Sequence, residues 1–203
     1  MLFRSSSVFT RKPKRAMTIR DLLTHTSGLT GAGEDTPVGR LYAATGRLGA
    51  NVSPQSTMAD TVATLATLPL ACDPGAQFNY GISTDVVGHL VELISGQTLA
   101  AFLQQRIFTP VGMVDTGFAV PADQQHRLAA FYVGADLFNP YKPGLTRKDN
   151  YPYPAAYTMQ VPWESGGGGL VSTAADYQRF VQMLCNGGEL DGVRILSPRS
   201  VKY

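Results

Sequence analysis

Apolar residues recur at helical spacing in several stretches, and each stretch begins with a residue able to cap a helix. Thr18 stands three positions before Asp21, the capping-box spacing, and Ser27-Gly28 supplies a stop. Ser56 can cap a segment with Met58, Val62 and Leu65 on one face, ended before Pro69. Ser83 or Thr84 can cap the next, where Val86, Val87, Leu90, Val91 and Ile94 form a broad apolar stripe closed by Gly96. Thr98 opens a short helix through Leu99, Phe102 and Leu103 that stops before Pro110. Thr173 with Asp176 repeats the capping-box spacing ahead of Tyr177, Phe180, Val181 and Leu184, and Asn186-Gly187-Gly188 ends that helix. Strand patterns are sparse: residues 128–133 read as one, and Asp191-Gly192 reads as a hairpin turn between 189–190 and 193–196. Ser197-Pro198 then opens a last helix, while residues 31–53 and 136–162 read as long loops. The pattern predicts many amphipathic helices and almost no sheet for their faces to pack on.

Length and charge narrow the function classes. A chain of 203 residues suits one domain, and a net charge of +2 does not mark a nucleic-acid or membrane-surface binder. The basic excess is concentrated at the start, where Arg4, Arg11, Lys12, Lys14, Arg15 and Arg20 all precede the first acid, Asp21. A Ser- and Arg-rich, acid-free start has the composition of an organelle-targeting peptide. It lacks a clear apolar face, however, and Pro13 interrupts any helix. Residues 1–16 are therefore read as a basic, unstructured arm and 17–203 as one domain. No apolar run approaches the roughly 18 residues of a membrane span, and no secretory apolar core is seen. Localisation and oligomeric state stay open. Cys72 and Cys185 read as buried free thiols.

Few residues suggest chemistry by themselves. Tyr80, in Gln77-Phe78-Asn79-Tyr80-Gly81-Ile82-Ser83, lies at a loop–helix junction after a Pro74-Gly75 turn. A tyrosine there either packs beside the helix start or directs its hydroxyl into a cleft, where a nearby cation would favour the phenolate of a general base. Ser83 fails the Gly-x-Ser-x-Gly elbow at its last position, so a helix cap is its better reading. His25, His89 and His126 show no metal-ligand spacing, which argues against a metal site, and His25 is expected to hydrogen-bond a turn. The run Gly166–Gly169 lacks the Lys-Ser/Thr of a phosphate loop, so no nucleotide or other cofactor is read.

Four segments taken in order, TIRDLLTHTSGL, PGAQFNYGISTDVVGHLVELISG, QQRIFTPVGMVDTGF and GGGGLVSTAADYQRFVQMLCNGGELDGVRILSP, resemble the serine β-lactamase-related family. That family includes class C β-lactamases, D-alanyl-D-alanine carboxypeptidases and esterases of the same fold, and the esterase-like branch is the most similar. The resemblance implies an α+β fold of the β-lactamase/transpeptidase type, truncated here and dominated by helices. It also implies a serine from a Ser-x-x-Lys motif that attacks a small-molecule ester or amide and forms an acyl-enzyme. Tyr80 matches the proton-handling tyrosine. Ile82 stands where a Tyr-x-Asn motif has Asn and cannot hydrogen-bond a substrate amide, which argues against antibiotic hydrolysis. The segment around Gly166–Gly169 resembles the loop lining the acyl pocket, giving Trp163, Ser165 and Gly166 to substrate contact. Yet no Ser in the 203 residues stands three positions before a Lys, and the third family motif is missing. The family's central sheet is built from both chain ends, so most of it is expected to be missing too. Two readings follow: a serine-hydrolase portion that is nearly inert alone, or a non-catalytic binding module of the same fold. A third, a split enzyme completed in trans, has no interface to specify it.

Overall fold

A computed structural model describes residues 9–202 apart from 32, 34, 47, 49–54, 135, 137, 138, 140, 149–156 and 161. Helix starts follow the capping chemistry. In α1 (Ile19–Leu23) the Thr18 hydroxyl accepts the Asp21 N–H, and the Asp21 carboxylate accepts the Thr18 N–H at 2.8 Å, closing the capping box. In α3 (Met58–Leu65) the same box is formed by Thr57 and Asp60, one residue beyond the expected Ser56, which is buried. Helix α2 (Pro37–Ala44) lies within the segment read as loop. Thr36 caps it, Pro37 presets its first turn, and a fully buried Tyr42 anchors it.

The longest described helix, α4 (Ser83–Ser95), has Ile82 at its N-cap and so no side-chain cap, while the Ser83 hydroxyl inside its first turn bonds to Ser27 at 2.8 Å. Gly96 ends it at φ 70°. Thr98 caps α5 (Leu99–Leu103) as expected, but the helix does not stop before Pro110. It widens into a π-turn over Gln104–Phe108, in which the Thr109 N–H reaches the Gln104 carbonyl, and continues as α6 (Thr109–Val111). Pro110 thereby follows the π-turn directly, inside a helix that continues although this residue donates no backbone hydrogen bond to it.

A 3₁₀ turn over Ala122–Arg127 leads to β1 (Tyr132–Val133), which pairs antiparallel with β2 (Thr146–Arg147) and is shorter than the expected strand at 128–133. Helix α7 (Ala174–Cys185) is followed by the hairpin β3 (Glu189–Leu190) and β4 (Val193–Arg194), whose turn residues Asp191 and Gly192 both have positive φ. Helix α8 (Pro198–Lys202) completes the described chain. Among the described residues the sheets thus amount to two short antiparallel pairs, with one further bridge between Gly117 and Val171. Among the described residues no single helix is long and apolar enough to cross a membrane.

Burial divides into linked clusters. Leu22, Leu29, Tyr42, Leu48, Leu65 and Ile82 form one, under α1 to α4. Phe108, Val111, Met113, Met183 and Leu190 form another, between α6 and α7. Met58 and Trp163 form a small third. Residues 9–18 have no regular structure, yet Arg11 pairs with Asp73 and Arg15 grips Asp21 at 2.6 and 2.8 Å. These guanidinium bonds hold both carboxyls below the usual carboxylate range.

Asp176 shows how a cap residue is diverted. Thr173 accepts its N–H, but its carboxylate turns away to accept the Asp115 N–H and the Thr116 hydroxyl, each at 2.7 Å, so α7 is tied to the 115–116 segment. Replacing Asp176, which is almost fully buried, with alanine leaves that amide donor unpaired. The Asp176→Ala variant is expected to lose about 2–3 kcal/mol of stability, read from its urea midpoint at an unchanged m-value.

Candidate active site

Two loops build the surface that carries Tyr80. The segment after α1 accepts three backbone N–H groups from the loop before α4: Ala71 to the Gly28 carbonyl, Gly75 to Thr26 and Asn79 to His25, at 2.8, 2.7 and 2.7 Å. The Asn79 side chain adds a bond to the Leu29 carbonyl at 2.9 Å. Gly81 then passes so close to Thr30 that a Cβ would lie 2.5 Å from its carbonyl carbon, a contact only glycine permits. The chain turns here, sending Ile82 into the core beside Leu22 and Tyr42 and Tyr80 outward. Tyr80 is 67% exposed, and its hydroxyl makes no hydrogen bond to a described residue. Its ring leans on His25, with centroids 4.9 Å apart at 31°. The expected turn bond at His25 is accepted by its backbone carbonyl; its Nδ1 is buried without a partner among the described residues.

Beneath this surface the first turns of α4 are lined with polar groups that satisfy one another. Ser27 and Ser83 are fully buried and hydrogen-bonded. Asp85 is buried, and its Oδ1 accepts a short bond from the Ser165 hydroxyl and another from the Gly167 N–H at 3.3 Å. Burial pushes the Asp85 carboxyl above its ordinary range, while the Ser165 and Gly167 bonds and the neighbouring His25 pull it back. Gly166 lies flat against the helix: a Cβ on it would sit 2.2 Å from the Thr84 carbonyl and 3.0 Å from the Gly88 nitrogen.

The residues singled out from sequence therefore meet the start of α4 from different sides. Tyr80 faces solvent, and Gly166 keeps an exposed side beside Thr84. Trp163 and Ser165 point inward: the indole packs on Met58 and Val62 and donates to the Thr61 hydroxyl at 3.0 Å, and Ser165 is committed to Asp85. A buried aromatic with its N–H satisfied is doing a core residue's work, and the Ser165 hydroxyl is already spent on Asp85. Asp85 and the His25 stack escaped the sequence reading. The one available signal was an acid in the first turn of an otherwise apolar helix. Among the described residues no three His, Cys, Asp or Glu side chains converge as metal ligands would. A separate concavity of about 810 Å³ opens between the π-turn and residues 114–129, with Gln104, Phe108, Phe118, Arg127 and Gln160 in its wall; Tyr80 does not line it.

Residues 6–202 match the Beta-lactamase family. The chain belongs to that family. It is 40% identical over 197 residues to an uncharacterised protein of Mycobacterium tuberculosis, covering 95% of this chain and 45% of that one. It is 30% identical to a lovastatin esterase of Penicillium rubens, over 88% of this chain and 42% of the esterase. The unliganded simvastatin synthase of Aspergillus terreus superposes with a TM-score of 0.67 at 28% identity, over 95% of this chain and 43% of the synthase. The fold is thus that of the β-lactamases and transpeptidases, helix-rich and partial, and the chain spans less than half the length of these relatives.

The raised Asp85 carboxyl has a stability signature. Between its ordinary titration range and its raised one, the folded state holds a proton that the unfolded state has lost, so stability falls as pH rises through that interval. Asp85→Asn removes this titration and keeps an acceptor for Ser165. The stability of wild type minus that of Asp85→Asn is expected to decline as pH rises from about 4, measured by urea unfolding at a series of pH values. A flat difference would contradict the assignment.

Proposed function

We propose that this chain supplies the tyrosine-bearing part of a serine acyl-transfer site of the esterase or acyltransferase kind, acting on small-molecule esters or amides, with Tyr80 as the proton-handling group. The observation that carries the reading is the outward Tyr80, held by glycine and backbone contacts at the head of α4, in the segment that matches the family's tyrosine motif. The burial of Ile82 supports an esterase-type site over a lactam-specific one, because the third motif position gives nothing to a substrate amide. Gly166, exposed beside Thr84, is the part of that loop left open to a substrate, with Trp163 and Ser165 supporting it from beneath. The attacking serine is not among the 203 residues in its Ser-x-x-Lys setting. The chain alone is therefore nearly inert: loss of a nucleophile lowers turnover by about 10⁶.

Purified chain is expected to show no burst with a p-nitrophenyl ester and no covalent adduct with a fluorophosphonate by intact mass; a stoichiometric adduct on any serine would overturn the inert state. Joined to the flanking segments of the Mycobacterium tuberculosis relative, the chain is expected to acylate. Tyr80→Phe in that chimera should then lower kcat by roughly 10²–10⁴. An active chimera indifferent to Tyr80→Phe would refute the role of Tyr80.

A further inference from the structure

Tyr80 is held in an unusual way. Its hydroxyl has no hydrogen-bond partner among the described residues, and its ring is two-thirds exposed, so neither its polar end nor burial fixes its direction. The close neighbour of its ring is His25, with centroids 4.9 Å apart, and the same imidazole touches Phe78 at 5.8 Å and 59°. One flat ring thus supports two exposed aromatics that flank Asn79, whose N–H is bonded to the His25 carbonyl at 2.7 Å. His25 adopts φ 52°, a left-handed backbone uncommon outside glycine, and that conformation turns α1 into the loop carrying this carbonyl. Its Nδ1 is buried with no partner among the described residues. No hydrogen bond at that nitrogen orients the imidazole there, and such unsatisfied groups call for another reason for the residue's presence. Asp85, on the first turn of α4, is near enough to interact electrostatically with it.

We propose that His25 is a positioning residue, whose imidazole face serves as the platform that orients the Tyr80 ring while its backbone carbonyl fixes the loop on which Tyr80 sits. The functional weight of this platform rests on the reading of Tyr80 given above; the platform itself does not. Offset aromatic pairs at this separation are attractive and directional, which suits orienting a ring whose hydroxyl must remain free for proton transfer.

Two substitutions at His25 separate ring from backbone. His25→Asn keeps a residue that tolerates the left-handed conformation but removes the ring, whereas His25→Phe keeps a ring and discards the nitrogens. With ¹³C-labelled tyrosine, the aromatic resonances of Tyr80 are expected to move towards those of an unstacked tyrosine in His25→Asn and to stay near wild type in His25→Phe. Nitration of Tyr80 by tetranitromethane, followed by peptide mass, should change several-fold in His25→Asn alone. The Asn79 amide should keep its hydrogen-exchange protection in both, since its partner is a carbonyl. Should the His25 variants not fold, Tyr80→Leu changes only an exposed side chain, and the ring protons of His25 should shift in it. Tyr80 resonances unmoved in a folded His25→Asn, or His25 ring protons unmoved in Tyr80→Leu, would overturn the platform. Either result leaves the chimera test of Tyr80 catalysis standing, so the two ideas fail separately.

Discussion

The first two turns of α4 can dock only at backbone distance, and most of the site follows from that constraint. Gly81 meets Thr30 and Gly166 meets the Thr84 carbonyl with no room for a side chain at either, and Gly88 lies tight against Gly166. Approach this close brings polar groups into the interior, and each must find a partner there. Ser83 takes Ser27, while Asp85 takes Ser165 and Gly167. The turn places Ile82 at the N-cap, which is why the helix start has no side-chain cap. The turn that lets Gly81 slip past Thr30 is the same one that expels Tyr80 and buries Ile82.

The rest of the architecture is arranged around this seam. One apolar cluster lies under α1 to α4 and a second between α6 and α7. Between them the 163–167 segment is pinned at several points: the indole on Thr61, the Glu164 carboxylate on the Ala100 N–H at 2.6 Å, and Ser165 on Asp85. That segment couples the tyrosine-bearing helix to the C-terminal half through satisfied buried polar contacts, which specify a single arrangement more strictly than apolar packing alone. The small amount of sheet does not loosen it, since the ties run from loop to helix.

Local chemistry was legible in the sequence, and contacts between distant segments were not. Thr18 with Asp21, Thr98, Gly96 and the Asp191-Gly192 turn each act within a few residues, so their spacing announced them. The cap at Thr57 in place of Ser56 was a choice between adjacent hydroxyls that pattern cannot make. Helix α2 was hidden because it is short and anchored by one aromatic, and the passage beyond Pro110 because a π-turn has no apolar period of its own. The family and the α+β class were read from the order of four motif segments. Tyr80 was found the same way, but its exposure was not. The bond from Ser165 to Asp85 spans 80 residues, and no periodicity reports such a meeting. Trp163 drew attention as a loop aromatic beside a glycine run, and only the fold reveals how its indole nitrogen is used.

The ion pairs ahead of α1 bear on how the protein can be handled. Asp21 is 4% exposed, closes a capping box and is gripped by Arg15, while Asp73 receives both Arg11 and the Lys14 amide. The counter-ions for two carboxylates of the folded body therefore come from the stretch that composition alone would mark as dispensable. Clipping the polypeptide after residue 15 by a contaminating trypsin-like protease, or designing an expression boundary there, would strand a buried anion at the foot of the first helix. Arg11 and Arg15 stay largely exposed themselves, yet they balance carboxylates that the folded body has drawn away from water.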